Sequence, residues 1–181
     1  MVIRETGIAG LLVITPSVFG DHRGYFMESY NETQFAAAGI TAHFVQDNQS
    51  MSGKNILRGL HFQAPPYAQG KLVRVIKGAV LDVALDIRKS SVTYGQHLAI
   101  ELNEDNKTML WIPPGFAHGF LTLKDETIFA YKCTDLYNKE SEGGIIWNDP
   151  ALAIDWGTES PILSQKDEIL PTLAAFKSPF S

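Results

Sequence analysis

The segment Arg58-Gly59-Leu60-His61-Phe62-Gln63 holds the first side chain able to move a proton near neutral pH. His61 lies between apolar neighbours on what reads as a strand, where a histidine is ordinarily a core or surface residue. Two cations change that reading. Arg58 precedes it, and Lys71 opens the next apolar run. Three cationisable groups around a pair of apolar strands, in a chain of net charge −5, point to a pocket for a multiply charged anion. On a regular strand Arg58 and His61 have opposite parity. Either Gly59 marks a bulge that turns one of them, or the two serve different sites.

Three more segments carry polar groups of interest. In Trp111-Ile112-Pro113-Pro114-Gly115-Phe116-Ala117-His118-Gly119-Phe120, the prolines stiffen a turn and His118 opens the strand after it. His118 is then either incidental or a ligand-facing group held by a rigid loop. In Tyr131-Lys132-Cys133-Thr134-Asp135-Leu136-Tyr137, Tyr131 shares a strand face with Phe129 and Cys133. Tyrosines this close usually pack, but a buried phenol can also donate a proton. Ser164-Gln165-Lys166-Asp167 reads alone as an exposed polar loop. Asp82 and Asp86 share one face of a further strand, which is either solvated or turns Asp82 into a polar cavity. The chain has no phosphate-binding glycine loop, no nucleophile elbow and no H-E-x-x-H helix.

The elements that must position these groups are short, β-branched or aromatic runs separated by turn residues such as Gly20-Asp21, Lys77-Gly78 and Pro113-Pro114-Gly115. The predicted strands are Leu11–Thr15, Tyr25–Tyr30, His43–Asn48, Leu57–Gln63, Leu72–Ile76, Val80–Ile87, His97–Leu102, Thr108–Ile112, Phe120–Leu123 and Thr127–Cys133. So many short strands predict a sandwich or barrel. Two short helices are expected. One is Glu32–Ala38, capped by Asn31, with Gln34 at the capping-box position and Gly39 as its stop; the other is Pro171–Phe176.

The chain has 181 residues, 45% of them hydrophobic, which suits one globular domain over 1–181. No apolar run is long enough to span a bilayer, and Met1–Gly10 lacks a signal-peptide core. The expectation is a soluble, cytoplasmic protein. A single cysteine, Cys133, excludes an intrachain disulfide and zinc sites built from several thiolates. The acidic balance argues against nucleic-acid binding.

Taken in order, these segments resemble the dTDP-4-dehydrorhamnose 3,5-epimerase family of the cupin superfamily. The resemblance runs nearly end to end. It rests on Asp21-His22-Arg23-Gly24-Tyr25-Phe26-Met27-Glu28, Gln46-Asp47-Asn48, Arg58–Gln63, Lys71–Val75, Pro113–Phe120, Tyr131–Tyr137 and Lys166-Asp167. It implies a jelly-roll β-sandwich with a few short peripheral helices, acting as a homodimer in which N-terminal strands pair with the other subunit. It implies a dTDP-4-keto-6-deoxy sugar as substrate. By position, His61 is the general base, Asp167 its orienting carboxylate, Tyr131 the proton donor and Tyr137 the aromatic that stacks on thymine. Arg23, Phe26, Glu28, Gln46, Asp47, Asn48, Arg58, Lys71, His118, Glu142 and Lys166 are implied substrate contacts. Arg23 and Glu28 are expected to serve the partner's pocket. At position 166 family members often carry arginine, so a lysine there keeps the charge and loses the fork-like geometry.

Metal-binding cupins place two His one residue apart, then a Glu, then a third His. Here Gln63 stands for the second His and Lys71 lies near the Glu position. A lysine repels a divalent cation, and two His without a nearby carboxylate make a poor zinc or iron site. No metal and no cofactor are therefore expected. A C4 keto group acidifies the hydrogens at C3 and C5. Inversion there needs a base on one face, an acid on the other and a cation at the enolate oxygen. Lys71 is the expected cation and so joins His61, Tyr131 and Asp167 as catalytic. A single-position epimerase or 3,4-ketoisomerase on the same substrate, a metal-dependent cupin and a non-catalytic sugar-nucleotide binding module remain alternatives.

Overall fold

Two antiparallel sheets face each other in a computed structural model that describes residues 1–181. In chain order the strands are β1 (Val2–Glu5), β2 (Leu12–Thr15), β3 (Val18–Asp21), β4 (Gly24–Met27), β5 (Gln46–Ser52), β6 (Leu57–Gln63), β7 (Lys71–Lys77), β8 (Ala79–Asp86), β9 (His97–Asn103), β10 (Met109–Ile112), β11 (Phe116–Thr122), β12 (Thr127–Cys133) and β13 (Glu142–Gly144). One sheet has the order β1-β2-β10-β7-β12-β5, the other β13-β6-β11-β8-β9, and β3-β4 form a separate hairpin. This is the all-β sandwich expected. Its helices are α1 (Glu32–Ala37) and a 3-10 turn at Lys139–Ser141. No helix is long and apolar enough to cross a membrane.

The alternation of side chains sorts the residues into three layers. Val73 and Val75 of β7, Leu110 and Ile112 of β10, Val80 and Ala84 of β8, Phe116 and Phe120 of β11 and Phe129 of β12 meet between the sheets. Their neighbours in sequence turn the other way. Leu72, Met109 and Trp111 pack under Phe35 of α1. Leu60, Phe62, Val83, Leu85, Ala117 and Leu121 are covered by the C-terminal segment through Ile145, Leu152, Trp156 and Phe180. That segment is almost free of regular structure. Its own ties hold it: the Trp156 indole donates to the Trp147 carbonyl at 2.9 Å, and Leu173 N–H donates to the Asp149 carboxylate at 2.6 Å.

Several elements differ from the sequence reading. Gly20-Asp21 ends strand β3 and is not a turn, and the chain reverses at His22-Arg23. The strand predicted over His43–Asn48 begins only at Gln46 and runs on to Ser52, because β5 is zipped along all of β12. The last strand of the rigid proline turn begins at Phe116, so His118 sits inside β11 and does not open it. Pro171–Phe176 makes one turn only, closed by Phe176 N–H to the Thr172 carbonyl at 3.0 Å. Its apolar residues are held by the sheet beneath and not by helix periodicity. Asn31 caps α1 by accepting from Gln34 N–H at 3.1 Å, but the Gln34 side chain donates to Glu28 and not back to the cap. Asp82 and Asp86 are both fully buried, so the solvated-face reading of that strand fails.

Asp86 is a structural hub. It accepts from the Arg88 guanidinium (2.7 and 2.9 Å), Arg88 N–H, Ser91 Oγ and Thr93 Oγ1, and so ties down the loop after β8. Burial pushes its carboxyl up, but these donors outweigh burial and hold its pKa at about 2. A carboxylate depressed from 3.8 to about 2 contributes about 2 kcal/mol of stability above pH 4, lost as pH falls toward 2. Asp86→Asn should therefore lower unfolding stability by about 2 kcal/mol at pH 7. Denaturant titrations at stepwise lower pH should show the gap between the two proteins closing below pH 4.

Candidate active site

At one end of the sandwich the inward-facing residues change from apolar to ionisable. On β6 the switch depends on Gly59. It has φ +132°, and a Cβ built there would lie 2.4 Å from the Cα of Gly119. The pairing of β6 with β11 slips at this point: His118 faces His61, whereas Phe120 faces Arg58. The extra residue of this bulge resolves the parity conflict, and Arg58 and His61 line the same cleft. Lys71 of β7, His118 and Phe120 of β11, Tyr131 of β12 and Glu142 of β13 join them.

The cleft has two lobes, about 490 and 350 Å³, sharing His61, Lys71, Tyr131 and Glu142. The larger adds Arg58, His118, Ser164, Lys166 and Asp167. The smaller adds Gln46, Asn48, Gln63 and Tyr137. His61 enters from the five-stranded sheet and Tyr131 from the six-stranded one. A depression of about 810 Å³ over Trp147–Glu159 offers three carboxylates and no cation or imidazole, and so lacks a proton-transfer pair.

Asp167 arrives from far along the chain. Ile162 is stitched to the start of β6 by its N–H to the Asn55 carbonyl (2.7 Å) and by Leu57 N–H to its own carbonyl (3.0 Å). The turn that follows lays Asp167 over His61, whose Nε2–H donates to Asp167 Oδ1 at 2.5 Å. Ser164 Oγ donates to the other carboxylate oxygen at 3.0 Å. Burial pushes the Asp167 pKa up, but the hydrogen bond and charge of His61, the Ser164 hydroxyl and nearby Lys166 outweigh it and hold the group below the ordinary carboxylate value. With Nε2 donating, the neutral imidazole keeps its lone pair on Nδ1.

His118 has its own carboxylate: Nε2 donates to Asp82 at 2.9 and 3.1 Å, both groups buried. The expectation that no carboxylate lies near the two histidines is thus corrected. Even so, no three His, Cys, Asp or Glu side chains are grouped to hold a metal ion. Gln63, at the second His position, turns its amide to backbone groups. Burial lowers the Lys71 pKa, opposed by Cys133, Asp82 and Glu142. Its ammonium lies 5.9 Å from the Tyr131 ring centre. Burial, then Cys133, pushes the Tyr131 phenol up, against Arg58. At the mouth, Glu142 accepts from Lys166 at 2.5 Å and from the Tyr137 hydroxyl at 3.1 Å.

Four of the residues singled out in the sequence do not line the cleft of their own chain. Asp47 points to the outer face and pairs with Lys132 at 3.0 Å. Arg23 and Phe26 lie on the β3–β4 hairpin, where Arg23 pairs with Asp21 and Phe26 is 66% exposed. Glu28, just beyond it, accepts from Asn31 and Gln34. Two residues that the sequence left unassigned, Asp82 and Ser164, hold site groups. The sequence offered a polar cavity as one reading of Asp82 and an exposed loop as the reading of Ser164, but paired neither with the group it contacts.

Comparison with known proteins identifies the family and the fold. The family model described as dTDP-4-dehydrorhamnose 3,5-epimerase matches residues 5–175. The enzyme of that name from Escherichia coli K12 is 54% identical over 175 residues, covering 96% of this chain and 95% of its own. A Legionella pneumophila dTDP-6-deoxy-D-glucose-3,5-epimerase, solved in complex with dTDP-4-keto-L-rhamnose, superposes with a TM-score of 0.93 at 48% identity, covering 97% of this chain and 94% of that one. The Bacillus anthracis dTDP-4-dehydrorhamnose 3,5-epimerase, with TDP and pyrophosphate bound, gives 0.92 at 47% identity, covering 94% and 98%.

Carboxyl ¹³C titration should find Asp167 ionising below 3.8, and Ser164→Ala should move it upward by removing a donor. A midpoint above 3.8 in the unsubstituted protein would contradict this electrostatic account.

Proposed function

This chain belongs to the dTDP-4-dehydrorhamnose 3,5-epimerase family, and we propose that it converts dTDP-4-dehydro-6-deoxy-D-glucose to dTDP-4-dehydro-L-rhamnose by inverting C3 and C5. The observation that carries the proposal is the approach of an imidazole and a phenol to one cleft from opposite sheets. His61 takes the proton α to the C4 carbonyl on Nδ1, while Asp167 stabilises the imidazolium that forms. Tyr131, kept protonated by burial, returns a proton from the other face; solvent then reprotonates the phenolate and takes the abstracted proton from His61 Nδ1, which restores both groups. Lys71 makes no ion pair within the chain, and its ammonium balances the enolate oxygen. One such contact is typically worth about 2.7–4 kcal/mol in the transition state.

The smaller lobe takes the nucleotide, with Tyr137 against thymine and Gln46 and Asn48 beside it. Arg58 and Lys166 meet the diphosphate, and Lys166 exchanges its partner Glu142 for phosphate oxygens. The protein works as a homodimer. Phe19, Tyr25 and Phe26 are 57–66% exposed on the β3–β4 hairpin, which pairs with neither large sheet. Exposed apolar groups on a lone hairpin call for a covering surface. A second copy supplies it and receives Arg23 and Glu28 at its pocket.

Incubation with the 4-keto-6-deoxy substrate in deuterated water tests the chemistry. The unsubstituted protein should label C3 and C5, His61→Ala should label neither, and Tyr131→Phe should exchange protons without complete inversion. Full exchange in His61→Ala would remove His61 as the base, and label at C3 alone would identify a single-position epimerase. Sedimentation should give twice the mass of one chain, and Phe19→Ser with Phe26→Ser should shift it toward one chain. An unchanged dimer would exclude the hairpin from the interface.

A further inference from the structure

Gln63 faces the smaller lobe, yet its amide is directed wholly at backbone. The residue is 5% exposed. Its Nε2 donates to the carbonyls of Tyr67 at 2.7 Å and Leu136 at 3.2 Å, and its Oε1 accepts from Asn138 N–H at 2.8 Å. Leu136 and Asn138 flank Tyr137, whose own N–H donates to Gln46 Oε1 at 3.0 Å. Three successive residues are thus pinned by two side-chain amides, one from each sheet. The Tyr137 residue itself is 57% exposed and has only the Glu142 contact at its tip. With more than half of the residue exposed, the position of the ring depends on the backbone beneath it.

We infer that Gln63 is a positioning residue that acts through Tyr137: it fixes the Leu136–Asn138 backbone so that the ring stands ready for the base, and so sets affinity for the nucleoside half of the substrate. Preorganisation of this kind raises affinity by sparing the ordering of a loop on binding. Only a primary amide supplies the two donor hydrogens and the acceptor used here. Glutamate keeps the acceptor and loses both donors, and methionine keeps the length and loses all three. The inference rests on the reading of Tyr137 as the thymine platform, so the test treats that reading separately.

The probes are dTDP and inorganic pyrophosphate, with binding followed by calorimetry on the full chain. Gln63→Glu and Gln63→Met should each weaken dTDP about tenfold, the loss expected from about one hydrogen bond's worth of ordering. Pyrophosphate binding should not change. KM should rise in parallel while turnover at saturating substrate stays within about twofold, since only binding in the nucleotide lobe is affected. Gln63→Met combined with Tyr137→Ala should bind dTDP no more weakly than Tyr137→Ala alone. Unchanged dTDP affinity in both Gln63 variants would overturn the inference. So would an equal loss of pyrophosphate, additive losses in the double variant, or the loss of turnover in both variants. Tyr137→Ala with undiminished dTDP binding would instead overturn the platform reading, and the inference with it.

Discussion

Strand β6 runs so close to β11 at Gly59 that no side chain fits between them, since a Cβ there would meet backbone at 2.4 Å. The slip in pairing at this point sets which way every later residue of β6 faces. Without it, Arg58 and His61 would stand on opposite faces, one of them in the apolar layer beneath the C-terminal segment. With it, Arg58, His61 and Gln63 all turn into the space between the sheets. The cleft is a consequence of one inserted residue in an otherwise regular pairing.

Turning ionisable groups inward is costly unless each finds a partner. Asp82 is paired with His118, Asp167 with His61 and Ser164, and Asp86 with Arg88, Ser91 and Thr93. No buried side-chain nitrogen or oxygen lacks a hydrogen-bond partner. Lys71 is treated differently: carboxylates and a thiol lie near enough to oppose the effect of burial, but none forms an ion pair with it. A cation left in this state is available to charge that develops during a reaction. The cavity therefore separates carboxylates that already have partners from cations, Lys71 and Arg58, that have none; the Arg58 guanidinium donates only to the neutral Ser52 hydroxyl.

The two sheets also divide the work. The five-stranded sheet carries the imidazole and its neighbours, and the six-stranded sheet carries the phenol and the ammonium. Opposite walls thus carry the base and the acid of the proposed inversion. The spacing of those walls is set by the apolar layer of Val73, Val75, Leu110, Phe116 and Phe129 a few residues away. Packing in that layer is thereby linked to the chemistry it borders.

Local pattern was enough to determine much of this protein. Strands Leu57–Gln63 and Thr127–Cys133 match their predicted bounds, because alternation and turn residues are properties of neighbouring positions. The family, and with it the sandwich, was legible because motifs from Asp21 to Asp167 recur in order. The family resemblance paired Asp167 with His61, but only the tertiary structure paired Asp82 with His118 and Ser164 with Asp167. The strands β1, β3 and β13 lie outside every predicted strand, and each is held by the partner strand that pairs with it. The segment Pro171–Phe176 has the composition of a helix but is held as a turn on a sheet. Asp167 reaches His61 only because Ile162 is bonded to the start of β6. Asp47 and Asn48 are adjacent in sequence yet face opposite sides of one strand. A sequence records which side chains exist and how neighbours alternate; the distance between residues 106 positions apart is a property of the folded chain.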